Sequence, residues 1–110
     1  MQIISKSLPE NSFINISGEI DALSAIDLDN EIKKISAENN CNIIVNCKEL
    51  TYISSAGLGV LMSHVKLLDE KKKLLIIHSL TKETYSTFEI LGLQHIMKIV
   101  ESEKEALDLV

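Results

Sequence analysis

The chain has 110 residues, 45% of them apolar and 25% charged, a balance that suits one globular domain with its own core and argues against disorder. Its net charge is −5, and all eleven bases are Lys; an acidic chain without Arg to clamp phosphates or guanine edges is a poor nucleic-acid binder. Met1-Gln2-Ile3-Ile4-Ser5-Lys6 is no secretory leader, and no apolar run nears the ~20 residues that cross a bilayer, so a cytoplasmic protein without membrane insertion is expected.

The start alternates as a strand does, and Leu8-Pro9-Glu10-Asn11 reads as a turn. Ser12 to Ser17 is the returning strand of a hairpin, with Ile14 and Ile16 on one face and Gly18 as its end. Asp21 or Ser24 then caps a first helix, Ser24 with Asp27 forming a weak capping box. Ala25, Leu28, Ile32 and Ile35 recur at helical spacing, and Glu38-Asn39-Asn40 ends the helix. Asn42 to Asn46 is a continuous apolar run, suited to a central strand. Cys47 to Ile53 reads as an irregular connection that dips an apolar residue or two into the core. A second helix runs from about Ala56 to Glu70 with an inner stripe of Leu58, Leu61, Val65 and Leu68. Leu74 to His78 is a strand. Thr81 to Leu91 is a third helix with Tyr85, Phe88 and Leu91 inward, closed by Gly92 as a left-handed cap. Ile96 to Val100 is the last strand. Ser102 and Glu105 make a capping box for a short final helix through Ala106, Leu107 and Val110. The order ββαβαβαβα predicts an α/β sheet, mostly parallel with an antiparallel edge.

Few side chains carry chemistry. Cys41 and Cys47 flank a strand that holds them roughly 20 Å apart, so they are expected as buried free thiols. His64, His78 and His95 are scattered without ligand spacing; surface or half-buried histidines are expected, and no metal site. Lys71-Lys72-Lys73 reads as a solvated helix end, placed well on the dipole. The unusual stretch is Ser54-Ser55-Ala56-Gly57-Leu58-Gly59, where two hydroxyls open a helix and two glycines follow. Glycine costs a helix about 1 kcal/mol against Ala, so something must approach the backbone closely there. A helix cap is the ordinary reading of the serines. A nucleotide cradle lacks its third glycine or lysine, and Gly-x-Ser-x-Gly is absent.

That stretch resembles the signature of the STAS-domain anti-sigma factor antagonists. Ser17-Gly18-Glu19-Ile20-Asp21 and Phe88-Glu89-Ile90-Leu91-Gly92-Leu93 are similar to two further segments of that family. The resemblance spans the chain and implies a single STAS domain over residues 1–110: a mixed, mostly parallel sheet of about five strands with an antiparallel N-terminal edge, and about four helices. It implies a switch rather than an enzyme, with no cofactor. The partner would be an anti-sigma factor that is also a serine kinase, and binding it would release a sigma factor. Phosphorylation at Ser55, with Ser54 as the alternative acceptor, would end the binding, and a serine phosphatase would restore it. Asp21, Ser54, Ser55, Ala56, Gly57, Leu58 and Gly59 are the implied partner-binding residues. The chain departs from the family at Ser54, which replaces an acid, at Ala56, which replaces a second hydroxyl residue, and at Asn46, where an acid is frequent. The alternative is a STAS scaffold subunit of a lipid ABC transporter or a sensory complex, never phosphorylated.

Overall fold

The computed structural model describes residues 1–38 and 40–110. Strands β1 (Gln2–Ser7) and β2 (Asn11–Ile20) form the hairpin. Helix α1 (Ala22–Glu38) leads to β3 (Asn42–Ile53), α2 (Ser55–Glu70) to β4 (Leu75–His78), and α3 (Lys82–Ile90) through a 3-10 turn (Leu93–His95) to β5 (Lys98–Val100). Helix α4 (Glu103–Asp108) follows. The expected end of α1 included Asn39, which lies outside the described residues.

The five strands lie in sequence order, β1 antiparallel to β2 and the rest parallel. The sheet is the mixed α/β one that the sequence predicted. Each parallel step moves one place in the same direction. Right-handed crossovers therefore carry α1, α2 and α3 over the same face. There Ile14, Ile16, Val45 and Ile77 of the sheet meet Leu28 and Ile32 of α1, Leu61 of α2 and Phe88 of α3. The opposite face has a smaller cluster, Ile44 and Ile76 under Ala106 of α4.

Two elements run longer than the sequence suggested. Gly18 does not end β2, which continues to Ile20, and residues 47–53 are not a connection but the second half of β3. The register explains both. Asn15 pairs with Asn46 but Ser17 with Glu49, and Gly18 pairs with Leu50 but Glu19 with Tyr52. Strand β3 thus carries two extra residues against β2, as bulges. Gly18 sits between them with φ at +83°, a conformation that suits glycine. Each bulge restores the facing of β3, so Cys47, Leu50 and Ile53 are all buried at a spacing of three. That spacing hides a strand from a search for alternation.

Other expectations shift at element ends. Asp21, not Ser24, is the cap of α1, and Asp27 has no part in it. Val65 and Tyr85 are half-buried, and Leu91 points to solvent, with Thr84 buried in its place. Gly92 is left-handed at φ +71°, as the sequence suggested. Strand β5 starts only at Lys98, because Ile96 and Met97 close the 3-10 turn. Helix α4 stops at Asp108, short of Val110, and of the three expected inward positions Ala106, Leu107 and Val110 only Ala106 is buried. The Ser102 cap does form: Glu105 N–H donates to Ser102 Oγ, and Glu105 reaches back to Glu101 N–H.

Phe88 is the bulkiest fully buried side chain and α3's main tie to the core. Phe88→Ala should cost about 3–5 kcal/mol of unfolding free energy, read from urea denaturation. A loss under about 1 kcal/mol would mean that α3 is not anchored through it.

Candidate functional site

The two bulges bring β2 and β3 to the same end line, where Ile20 pairs with Ile53. Ser54 N–H then donates to Ile20 O at 2.8 Å, which fixes the turn into α2 beside the turn into α1. Ser54 is the N-cap of α2: its backbone is extended, and its Oγ accepts from Gly57 N–H at 3.2 Å. Gly57 faces inward. A Cβ there would sit 2.8 Å from both Ile20 Cγ2 and Ile53 Cγ1, so the helix can lie this low only on a glycine. Leu58 is buried behind it.

The other residues of the stretch face out. Ser55, Ala56 and Gly59 are exposed. A Cβ on Gly59 would meet nothing within 4 Å. The two glycines thus differ: Gly57 is required by the fold, and Gly59 leaves bare backbone on the surface. Ser55 and Gly59 stand one turn apart on the same helix face.

Asp21 follows Ile20 directly and stands at the start of α1. Its N–H donates to Ser24 Oγ, and Ser24 N–H donates to Asp21 Oδ1, both at 2.8 Å. These bonds, the Ser24 N–H foremost and then its hydroxyl, hold the Asp21 carboxyl below its usual range. The start of α1 also exposes Leu23 (78%) and Ile26 (58%), and Tyr52 at the end of β3 is half exposed. The sequence carried a signal for the first two, since both fall outside the α1 stripe. The structure therefore gathers Asp21, Ser54, Ser55, Ala56 and Gly59 at one end of the sheet, while Gly57 and Leu58 are packed beneath them.

The histidines depart from expectation. His64 and His78 are buried, and only His95 is exposed. His64 of α2 donates from Nε2 to Asp29 Oδ1 of α1 at 2.7 Å, and Lys33 pairs with Asp29 Oδ2 at 2.8 Å. Asp29 and Lys33 have the i, i+4 spacing of one helix face, but no spacing rule could add His64, which comes from a second helix. Lys33 first, then His64, hold the Asp29 carboxyl below its usual range. Burial pushes the His78 imidazole down, against the opposing charge of Glu103, and its Nδ1 pairs with Ser79 Oγ at 2.8 Å. Cys41 and Cys47 are buried free thiols, and burial pushes Cys47 up to about 12, far from a reactive thiolate. Among the described residues no group of His, Cys, Asp or Glu is placed to hold a metal ion, and no helix is long and apolar enough to cross a membrane.

Two predictions follow this geometry. Gly57→Ala should lower stability by about 1–3 kcal/mol through overpacking, whereas Gly59→Ala should raise it by up to about 1 kcal/mol through helix propensity. Urea titrations that rank the two alike would refute the close approach at position 57. Second, a carboxyl with a lowered folded pKa stabilises above the ordinary carboxylate range and loses that contribution as the pH falls through it. The stability of the wild type should therefore drop more steeply below about pH 4 than that of Asp29→Asn. Parallel profiles would mean that Asp29 does not tie α1 to α2.

Comparison with known proteins agrees with this architecture. The anti-sigma-B factor antagonist of Listeria monocytogenes is 29% identical over 92 residues, which span 84% of this chain and 81% of that one. The crystal structure of an anti-sigma factor antagonist from Mycobacterium paratuberculosis superposes with a TM-score of 0.84 at 19% identity, covering 99% of this chain and 92% of that one. The unphosphorylated form of the antagonist SpoIIAA superposes with a TM-score of 0.74 at 19% identity, covering 97% and 96%. The STAS domain family model matches residues 2–106. With the sheet order and the serine turn already in view, that match places the chain in the STAS domain family.

Proposed function

We propose that this chain is an anti-sigma factor antagonist whose binding of an anti-sigma factor is switched off by phosphorylation at Ser55. The observation that carries the reading is the division of labour between the two serines. Ser54 Oγ is committed to the Gly57 amide as the cap of α2, while Ser55 is exposed one residue further on. Modifying Ser54 would disturb a cap worth about 1 kcal/mol. The Ser55 hydroxyl makes no hydrogen bond among the described residues, so modifying it leaves the cap in place. The names of its relatives support the same role: the Listeria protein is an anti-sigma-B factor antagonist, and SpoIIAA is known in unphosphorylated and phosphorylated forms.

The surroundings suit a docking face. Ala56 and Gly59 leave room for a partner to meet the α2 backbone, and Leu23 and Ile26 offer exposed apolar surface on the neighbouring helix. A phosphoryl group on Ser55 adds about −1.5 to −2 charges at a helix N-terminus, where the dipole tolerates it, so the fold survives. In a closed interface the same group brings bulk and a charge to desolvate, beside the ionised Asp21. Losing several kcal/mol of binding that way changes affinity by orders of magnitude. The partners in this reading are an anti-sigma factor with serine kinase activity and a serine phosphatase. The chain itself performs no catalysis and works inside the cytoplasm.

Ser55→Asp should keep the wild-type circular dichroism and unfolding midpoint but lose at least a hundredfold in affinity for the anti-sigma factor, measured by calorimetry. Ser55→Ala should bind as tightly as the wild type and resist the kinase. A folded Ser55→Asp that binds like the wild type would overturn the switch.

A further inference from the structure

A groove of about 450 Å³ lies between α2 and the segment that joins the 3-10 turn to β5. Its floor is apolar, made by the buried Leu75 and Met97. Its lips are Met62, 40% exposed, and Ile96, 57% exposed. Three lysines stand around it, Lys66 on α2, Lys73 after it and Lys98 on β5, against one acid, Asp69. None of the three ammonium groups makes an ion pair among the described residues. The chain as a whole has sixteen acids to eleven bases, so three bases to one acid reverses its overall balance. Unpaired like charges gathered on one rim repel one another and favour a counter-charge from outside. Lys73, the last residue of the Lys71-Lys73 run, belongs to this rim.

From these features we propose that the groove binds a small amphipathic anion, an alkyl or aryl body with a carboxylate or phosphate head. Its volume lies in the range of small-molecule pockets, with apolar walls and few polar groups, as such sites have. The apolar body would cover Leu75 and Met97 and remove Met62 and Ile96 from water. The head would stay at the rim, where lysine stems lie along apolar surface and their ammonium groups reach the solvent edge. Flexible Met62 and Met97 let the walls adapt to bodies of different shape. The site does not involve Ser55.

The test is a titration of the isotope-labelled full chain by amide NMR with decanoate, decyl phosphate and decyltrimethylammonium, each below its micelle concentration. Both anions should shift the amides of residues 62–66, 73–75 and 96–98 in a saturable way, and the cation should bind at least tenfold more weakly. The double variant Lys66→Glu/Lys98→Glu, both sites being exposed, should fold normally and bind decanoate at least tenfold more weakly. Decanoate and decyl phosphate binding alike would mark the anionic head as the shared determinant, and a preference for one would name the head group. Equal binding of the cation, shifts scattered over the whole chain, or a double variant that binds as the wild type does would overturn the proposal. So would saturation of the groove by an acidic amphipathic peptide when neither anion binds, which would make it a protein-docking groove instead.

Discussion

The first turn of α2 rests on the ends of β2 and β3 with no space for a methyl group at position 57. The contact between Gly57, Ile20 and Ile53 decides how the rest of this end is arranged. It sets the height of the helix over the sheet and, with the Ser54 amide bonded to Ile20 O, its rotation. Once Gly57 faces inward, a step of about 100° per residue sends Ser55 and Gly59 outward. The exposed hydroxyl is thus a geometric consequence of a buried glycine. The two bulges in β3 serve the same contact, because they bring Ile53 into line with Ile20.

Electrostatics at this end follow from the same placement. Two helices begin side by side, and each presents unpaired amides and a positive pole. Internal groups satisfy part of that demand: Asp21 and Ser24 close the start of α1, and Ser54 closes that of α2. In the proposed switch, the phosphoryl group would add to a site already holding one ionised carboxylate. The folded chain bears that charge in water, whereas a partner surface would have to bear it without water. Away from this end, His64 of α2 bonds Asp29 of α1, which Lys33 of the same helix also pairs.

Much of the fold was legible in the chain. The stripe Ala25, Leu28, Ile32, Ile35 marks α1, and Leu58, Leu61, Val65, Leu68 marks α2, although Val65 is only half-buried, because a helix face repeats every three to four residues. The second half of β3 was not legible, since bulges break the alternation that marks a strand. Leu91 continues the helical spacing yet faces solvent, because α3 stops at Ile90 and the chain turns away at Gly92. His64 escaped for a different reason. Its partner Asp29 lies 35 positions away, and only the packing of two helices joins them. In the site, the serine pair was visible as a helix start, but which serine caps and which is exposed depended on the rotation imposed by Gly57. The sequence could flag both glycines, yet not that one is packed and the other bare.

In the proposed switch the outward hydroxyl of Ser55, not the capping one of Ser54, is the acceptor. Incubating the chain with ATP and an anti-sigma factor kinase, then mapping the modified peptide by mass spectrometry, tests it directly. One phosphate is expected, on Ser55, in the wild type and equally in Ser54→Ala. A phosphate on Ser54, or none on a chain that the kinase binds, would contradict it.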